Sequence, residues 1–152
     1  LSPLAVSSIS GIGAVRSPSL AISDSALASA RFDAVQYWSA AGLPSELLEK
    51  LRSVSVRVTS LHTGYLGLAS SSQILLDDDG SGFGWRLSDS DLSVGNNFDL
   101  VSVLLHEMGH VLGLEDDENA EPGSLMYDEL TPGEFRRPTA HDVDKVLANY
   151  RS

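Results

Sequence analysis

His106-Glu107-Met108-Gly109-His110-Val111-Leu112-Gly113-Leu114-Glu115-Asp116 reads H-E-x-x-H-x-x-G-x-x-D, and each fixed position has a chemical use. Two histidines four apart on a helix share one face, with Cβ atoms roughly 5–6 Å apart. Both imidazoles can then bond one Zn²⁺ at about 2.0–2.1 Å. Glu107, beside the first histidine, is placed to take a proton from an activated water. Gly113 can end the helix in a left-handed conformation and turn the chain back. Acidic residues follow that turn, and Asp116 is the candidate third ligand, with Glu115 and Asp117 on either side. Three protein ligands leave a fourth position for water, the mark of a catalytic zinc site.

A lone histidine on a helix is more often packed or solvated than a ligand. Five specified positions in one run reverse that balance, provided the run falls on a helix. The stretch before it, Asp99 to Leu105, supplies one: Asp99 is a candidate N-cap and Leu100, Val101, Val103, Leu104 and Leu105 are apolar.

The extended motif resembles that of the metzincin zinc endopeptidases. Their third ligand is usually histidine, and an aspartate there is similar to the snapalysin-type members. The resemblance selects Asp116, which stands in the register of the family's third ligand. An anionic ligand makes the zinc a weaker Lewis acid than three imidazoles would, so activity is expected at neutral or mildly alkaline pH. Ser124-Leu125-Met126-Tyr127 resembles the matrixin form of the Met-turn, a tight turn with a methionine beneath the metal, although Asp128 stands where matrixins carry proline.

Gly67-Leu68-Ala69, Ile74 to Asp79 and Trp85 are similar to the matrixin edge strand and the strand after it. His141 to Leu147 resembles the last matrixin helix, in which an aspartate at the position of Asp142 braces the Met-turn. The likeness spans roughly residues 23 to 150. It implies an α+β, zincin-like domain: a twisted mixed sheet packed on an active-site helix, with a Met-turn and a C-terminal helix. It also implies an extended polypeptide substrate paired along Gly67, Leu68 and Ala69, with Tyr127 beside it. The loop after the Met-turn, with Leu130, Phe135, Arg136 and Arg137, would shape the pocket beyond the cut, where arginine would favour an acidic side chain.

Other candidates are weaker. His62 reads as a surface or packed histidine, and His141 as facing water. Ser70 and Ser71 stand where matrixins place histidines for a second zinc, so no such site is expected. Asp77, Asp78 and Asp79 can bind Ca²⁺, but Gly80 and Ser81 follow where the family has a glutamate. A solvated acidic loop is favoured over calcium because too few oxygens are on offer.

At 152 residues, with 42% hydrophobic and 20% charged residues, the chain suits one globular domain. No apolar run is long enough to cross a membrane. Net charge is −11, with Lys50 and Lys145 the only lysines, which argues against nucleic acid and anionic membranes as partners. The chain has no cysteine, so it forms no disulfide and holds no cysteine-switch. Residues 1–22, rich in Ser, Ala and Leu, lack a basic start and a continuous apolar run. They read as a flexible leader or linker and not as a signal peptide. A start without Met predicts a fragment or mature form of something longer. Residues 23–152 are expected to be the catalytic domain, a secreted monomer of bacterial type.

Elsewhere the pattern predicts a helix from Ser23 or Asp24 to Ala41, a helical turn over Ser45–Leu51 and strands over 54–58, 66–69 and 73–76. A glycine-rich loop spans 79–84, and a last helix runs from Thr139 to Tyr150. Two further readings compete with a general peptidase. One is a self-processing module of a larger secreted protein. The other is an inactive zinc-binding recognition domain, against which the intact Glu107 counts.

Overall fold

The computed structural model describes residues 2–6, 22–61, 64–87, 97–117, 119–121 and 123–151. His62 and residues 7–21 of the expected leader lie outside them. In chain order the elements are strand β1 (Ser2–Val6), helices α1 (Asp24–Ala40) and α2 (Ser45–Ser53), and strands β2 (Ser55–Thr59), β3 (Tyr65–Ala69), β4 (Gln73–Asp77), β5 (Trp85–Arg86) and β6 (Phe98–Asp99). Helix α3 (Leu100–Val111), strand β7 (Glu129–Leu130) and helix α4 (Ala140–Arg151) follow. The mixture is α+β, as expected.

Local chemistry accounts for the helix ends. The Ser23 hydroxyl accepts from the Ala26 amide at 3.1 Å and starts α1. Gly42, at φ +108°, adopts the left-handed conformation just beyond its end. Pro44 precedes α2, where its fixed φ is no obstacle. Thr139 and Asp142 form a reciprocal cap on α4: the carboxylate accepts from the Thr139 amide at 2.8 Å, and the Thr139 hydroxyl faces the Asp142 amide at 3.3 Å.

One five-stranded mixed sheet has the order β2-β4-β3-β1-β7. Strands β2 and β4 run parallel, while β3 is antiparallel to both β4 and β1. A short parallel pair, β5 and β6, sets Arg86 opposite Asp99 at the head of α3. Helix α3 touches both α1 and β3 and is buried on every side: Leu100, Val101, Val103, Leu104, Leu105, Met108 and Val111 all belong to the core. A helix apolar all round belongs in the middle of a domain. Ala30, Ala34, Val35 and Trp38 of α1, Leu66 of β3 and Ile74 and Leu76 of β4 complete the packing around it.

Residues 2–6 of the expected leader form a strand of the sheet. One expectation needs correction here. Strand β3 is therefore not an edge strand in this structure, because β1 covers the side away from β4.

Candidate active site

Helix α3 begins where Asp99 accepts from the Ser102 amide at 3.1 Å, the cap its sequence predicts. The same carboxylate, 1% exposed, also takes the Ser102 hydroxyl and the guanidinium groups of Arg86 and Arg137. At the other end the Leu114 amide bonds the Gly109 carbonyl at 2.9 Å and the Gly113 amide bonds the His110 carbonyl at 3.0 Å. With Gly113 at φ +96°, these two bonds make a Schellman turn.

That turn does two things for the site. It aims the Leu114 carbonyl at His110 Nδ1, 2.8 Å away, and it carries Asp116 back over the helix. The Ser124–Tyr127 turn, closed by a 3.1 Å bond from the Tyr127 amide to the Ser124 carbonyl, aims the Leu125 carbonyl at His106 Nδ1, 2.7 Å away. It closes with Asp128 following it, so proline is not needed there. A carbonyl only accepts, so each ring carries its proton on Nδ1 and leaves Nε2 as a lone pair.

The two Nε2 atoms lie 3.1 Å apart, and Asp116 Oδ1 lies 3.0 Å from each. Two lone pairs and an anionic oxygen converge with no proton assigned to any of them. A cation resolves that arrangement. Three ligands of a tetrahedral zinc at about 2.0–2.1 Å span edges of roughly 3.3–3.4 Å, close to the triangle formed here. The nitrogen and oxygen donors are of the type zinc accepts, so the residues fit the ion. Asp117 is directed elsewhere: its amide bonds the Met126 carbonyl and its carboxylate takes the Asn119 amide at 3.1 Å.

Glu107 joins the two histidines in a group whose ligand atoms lie within 4.8 Å of one another. It is fully buried, and neither carboxylate oxygen has a hydrogen-bond partner among the described residues. Burial first, and then the nearby Asp116 charge, push its pKa well above the ordinary carboxylate range. Burial holds His106 below the usual imidazole value, against the opposing pull of its Asp116 and Leu125 partners. Burial works to raise Asp116 as well, but its bonds to both histidines outweigh that and hold it far below the carboxylate range. Cation binding needs neutral imidazoles and an ionised carboxylate, and these shifts favour both.

Two glycines make room for the site, and the motif alone signals neither role. A Cβ on Gly67 would sit 2.8 Å from Glu107 Oε2, so the carboxylate rests against the bare backbone of β3. A Cβ on Gly109 would sit 2.5 Å from Met126 Sδ, so the methionine packs directly on the α3 backbone between Met108 and His110. Met126 is 5% exposed.

Other expected residues serve elsewhere. Arg136 is 1% exposed, donating to Glu134 at 2.8 Å and to the carbonyls of Tyr127 and Glu129. Arg137 donates to Asp99, Ser102 and the Arg136 carbonyl and lies over the Tyr37 ring. Arg136 is buried and Arg137 half-buried, and both are bonded to groups of the protein itself, so neither stands free to select an acidic substrate; Phe135 beside them is 53% exposed. Asp142 bonds Thr139 at the head of α4, where a brace for the 124–127 turn was expected. His141 is exposed. Asp77 accepts from the Leu61 and Ser81 amides at 2.8 and 2.7 Å, and Asp79 from the Gly82 amide, so these carboxylates organise their own loop. Leu68 and Ala69 lie on β3 with Gly67, and Leu130 on β7.

No curated protein matches the chain. A family model described as Matrixin matches residues 19–151, and the chain belongs to that family of zinc metallopeptidases.

Proposed function

We propose that this matrixin is an endopeptidase with His106, His110 and Asp116 as its three zinc ligands and Glu107 as its general base. The observation that carries the reading is the convergence of two Nε2 lone pairs and Asp116 Oδ1 within 3.1 Å, beside a buried carboxylate without a partner. When bound, Zn²⁺ supplies Lewis acidity toward a peptide carbonyl and makes water nucleophilic near neutral pH.

The protein's own groups do the rest. Glu107 takes the proton of the attacking water and later delivers it to the departing amine, and its raised affinity for a proton suits both tasks. The Leu125 and Leu114 carbonyls fix the tautomer and tilt of the two imidazoles. Met126 supports the helix beneath them, as the Met-turn of the fold is expected to do. A substrate chain would lie extended against β3, where Gly67 lets its backbone pass close to Glu107; Leu68 and Ala69 would continue that track, with Tyr127 as its expected far wall.

Polypeptide is the substrate class, and action outside the cell by a monomer suits the family and the acidic surface. No described helix is long and apolar enough to cross a membrane. A chelator should abolish cleavage of an unstructured protein by the purified chain, and added Zn²⁺ should restore it. Serine- and cysteine-protease reagents should have no effect. Undiminished cleavage after complete metal removal would refute the reading.

A further inference from the structure

Strand β1 takes a particular path through the site. It pairs antiparallel with β3, setting Ser2 opposite Ala69, Pro3 opposite Leu68, Leu4 opposite Gly67 and Ala5 opposite Tyr65. It pairs parallel with β7, setting Ala5 opposite Glu129 and Val6 opposite Leu130. It also touches α3, the helix that carries His106, Glu107 and His110.

Residues 2–6 thus lie extended between the two segments that wall the site: β3, whose Gly67 backs onto Glu107, and β7, just beyond the turn that holds Met126. Leu4 stands opposite Gly67, and the pairing register breaks between Leu4 and Ala5. This is the track assigned above to an incoming polypeptide. Main-chain pairing holds such a strand largely without regard to sequence, and one track cannot hold two strands.

We propose that residues 2–6 are a tethered occupant of the substrate track, a peptide ligand supplied by the chain itself that excludes other polypeptides while it is paired. The proposal rests on the peptidase reading for the meaning of the track, but not for its occupancy. Attachment gives the segment an effective concentration of about 1 mM; an intrinsic affinity of about a tenth of that would raise the apparent KM of a competing peptide about tenfold. The turnover number at saturation is unchanged, because a saturating substrate displaces the segment.

Full-length Leu4→Pro/Ala5→Pro removes two amide donors from β1 and should release it. Its KM for an extended peptide should fall about tenfold at constant kcat. A fluorescent hexapeptide of residues 1–6 should bind this variant and not the unaltered chain. Equal hexapeptide binding to both proteins, or an unchanged KM, overturns the proposal. Hydrogen exchange on the unaltered chain gives an answer that does not depend on the variant folding. Slow exchange at the β3 amides that face β1, beyond those bonded to β4, supports the pairing, and fast exchange at those amides overturns it. If neither protein cuts any peptide but the variant alone binds the hexapeptide, the peptidase reading fails and the tether stands.

Discussion

Glu107 is costly to the fold where it stands. A buried carboxylate with no partner loses its hydration and gains no hydrogen bond in return, and a residue kept at such a cost is a candidate for function. Glu107→Gln keeps the size and removes the charge. Turnover should fall about 10²–10⁴-fold while zinc stays bound, measured as kcat and as metal content after dialysis. The metal-free variant should also be the more stable protein at neutral pH. Because the folded-state pKa is raised, the unfolded chain loses its proton first. Wild-type stability therefore declines as pH rises above the ordinary glutamate range, until the folded pKa is passed, and the variant is spared that decline. Thermal midpoints of both metal-free proteins from pH 4 to 8 check the widening gap. Asp116 makes a second residue-scale prediction. Asp116→Ala should empty the site on dialysis, whereas Glu115→Ala and Asp117→Ala should retain metal, since the Asp117 carboxylate is occupied by Asn119. An empty site in Asp117→Ala alone would shift the ligand register by one. The paired histidines and their glutamate were legible because a helix turns spacing directly into proximity. Gly67 was not read as the surface behind Glu107, because that contact joins residues 40 positions apart in the chain.

At the scale of elements, α3 is fixed at both ends by chemistry of different reach. Its N-cap and its Schellman turn involve near neighbours, and both were readable from Asp99 and Gly113. What holds Asp99 is not local: Arg86 approaches through the β5–β6 pair and Arg137 from beyond β7. Asp99→Ala should therefore cost more than the 0.5–2 kcal/mol of a lost cap, about 3–5 kcal/mol if the two cations are left without their shared anion. Urea unfolding of the variant checks it, and a loss within about 0.5–2 kcal/mol would show Asp99 to be a cap alone. Gly109→Ala is a companion case in which propensity and packing disagree. Alanine gains roughly 0.8–1.0 kcal/mol in an α-helix, but its Cβ would meet Met126 Sδ at 2.5 Å. The variant should be less stable and bind zinc more weakly; a more stable protein would mean that Met126 yields freely. The internal partners of Arg136 and Arg137 were not legible for the same reason of reach. Their partners are backbone carbonyls and side chains that only the folded chain brings near.

For the whole molecule, element order was largely legible and sheet order was not. Apolar alternation and glycine punctuation located α1, α2, β2, β3, β4, α3 and α4 to within a few residues, because each pattern is local. Nothing local says that β4 pairs parallel with β2 and antiparallel with β3, or that β1 inserts between β3 and β7. Pro3 argues against a strand in a sheet interior, and Ser2–Val6 is too short for periodicity to outweigh it. The sheet matters to the chemistry because it sets β3 against α3 and so brings Gly67 to Glu107. A Zn²⁺ titration of the chelator-stripped chain, with cleavage of an unstructured protein and bound metal followed together, alongside Glu107→Gln, tests the assignment of one metal and one base. Both proteins should take up one zinc per chain, and cleavage should rise in step with uptake in the wild type alone. Cleavage by the stripped chain, or wild-type cleavage rates in zinc-loaded Glu107→Gln, would contradict that assignment.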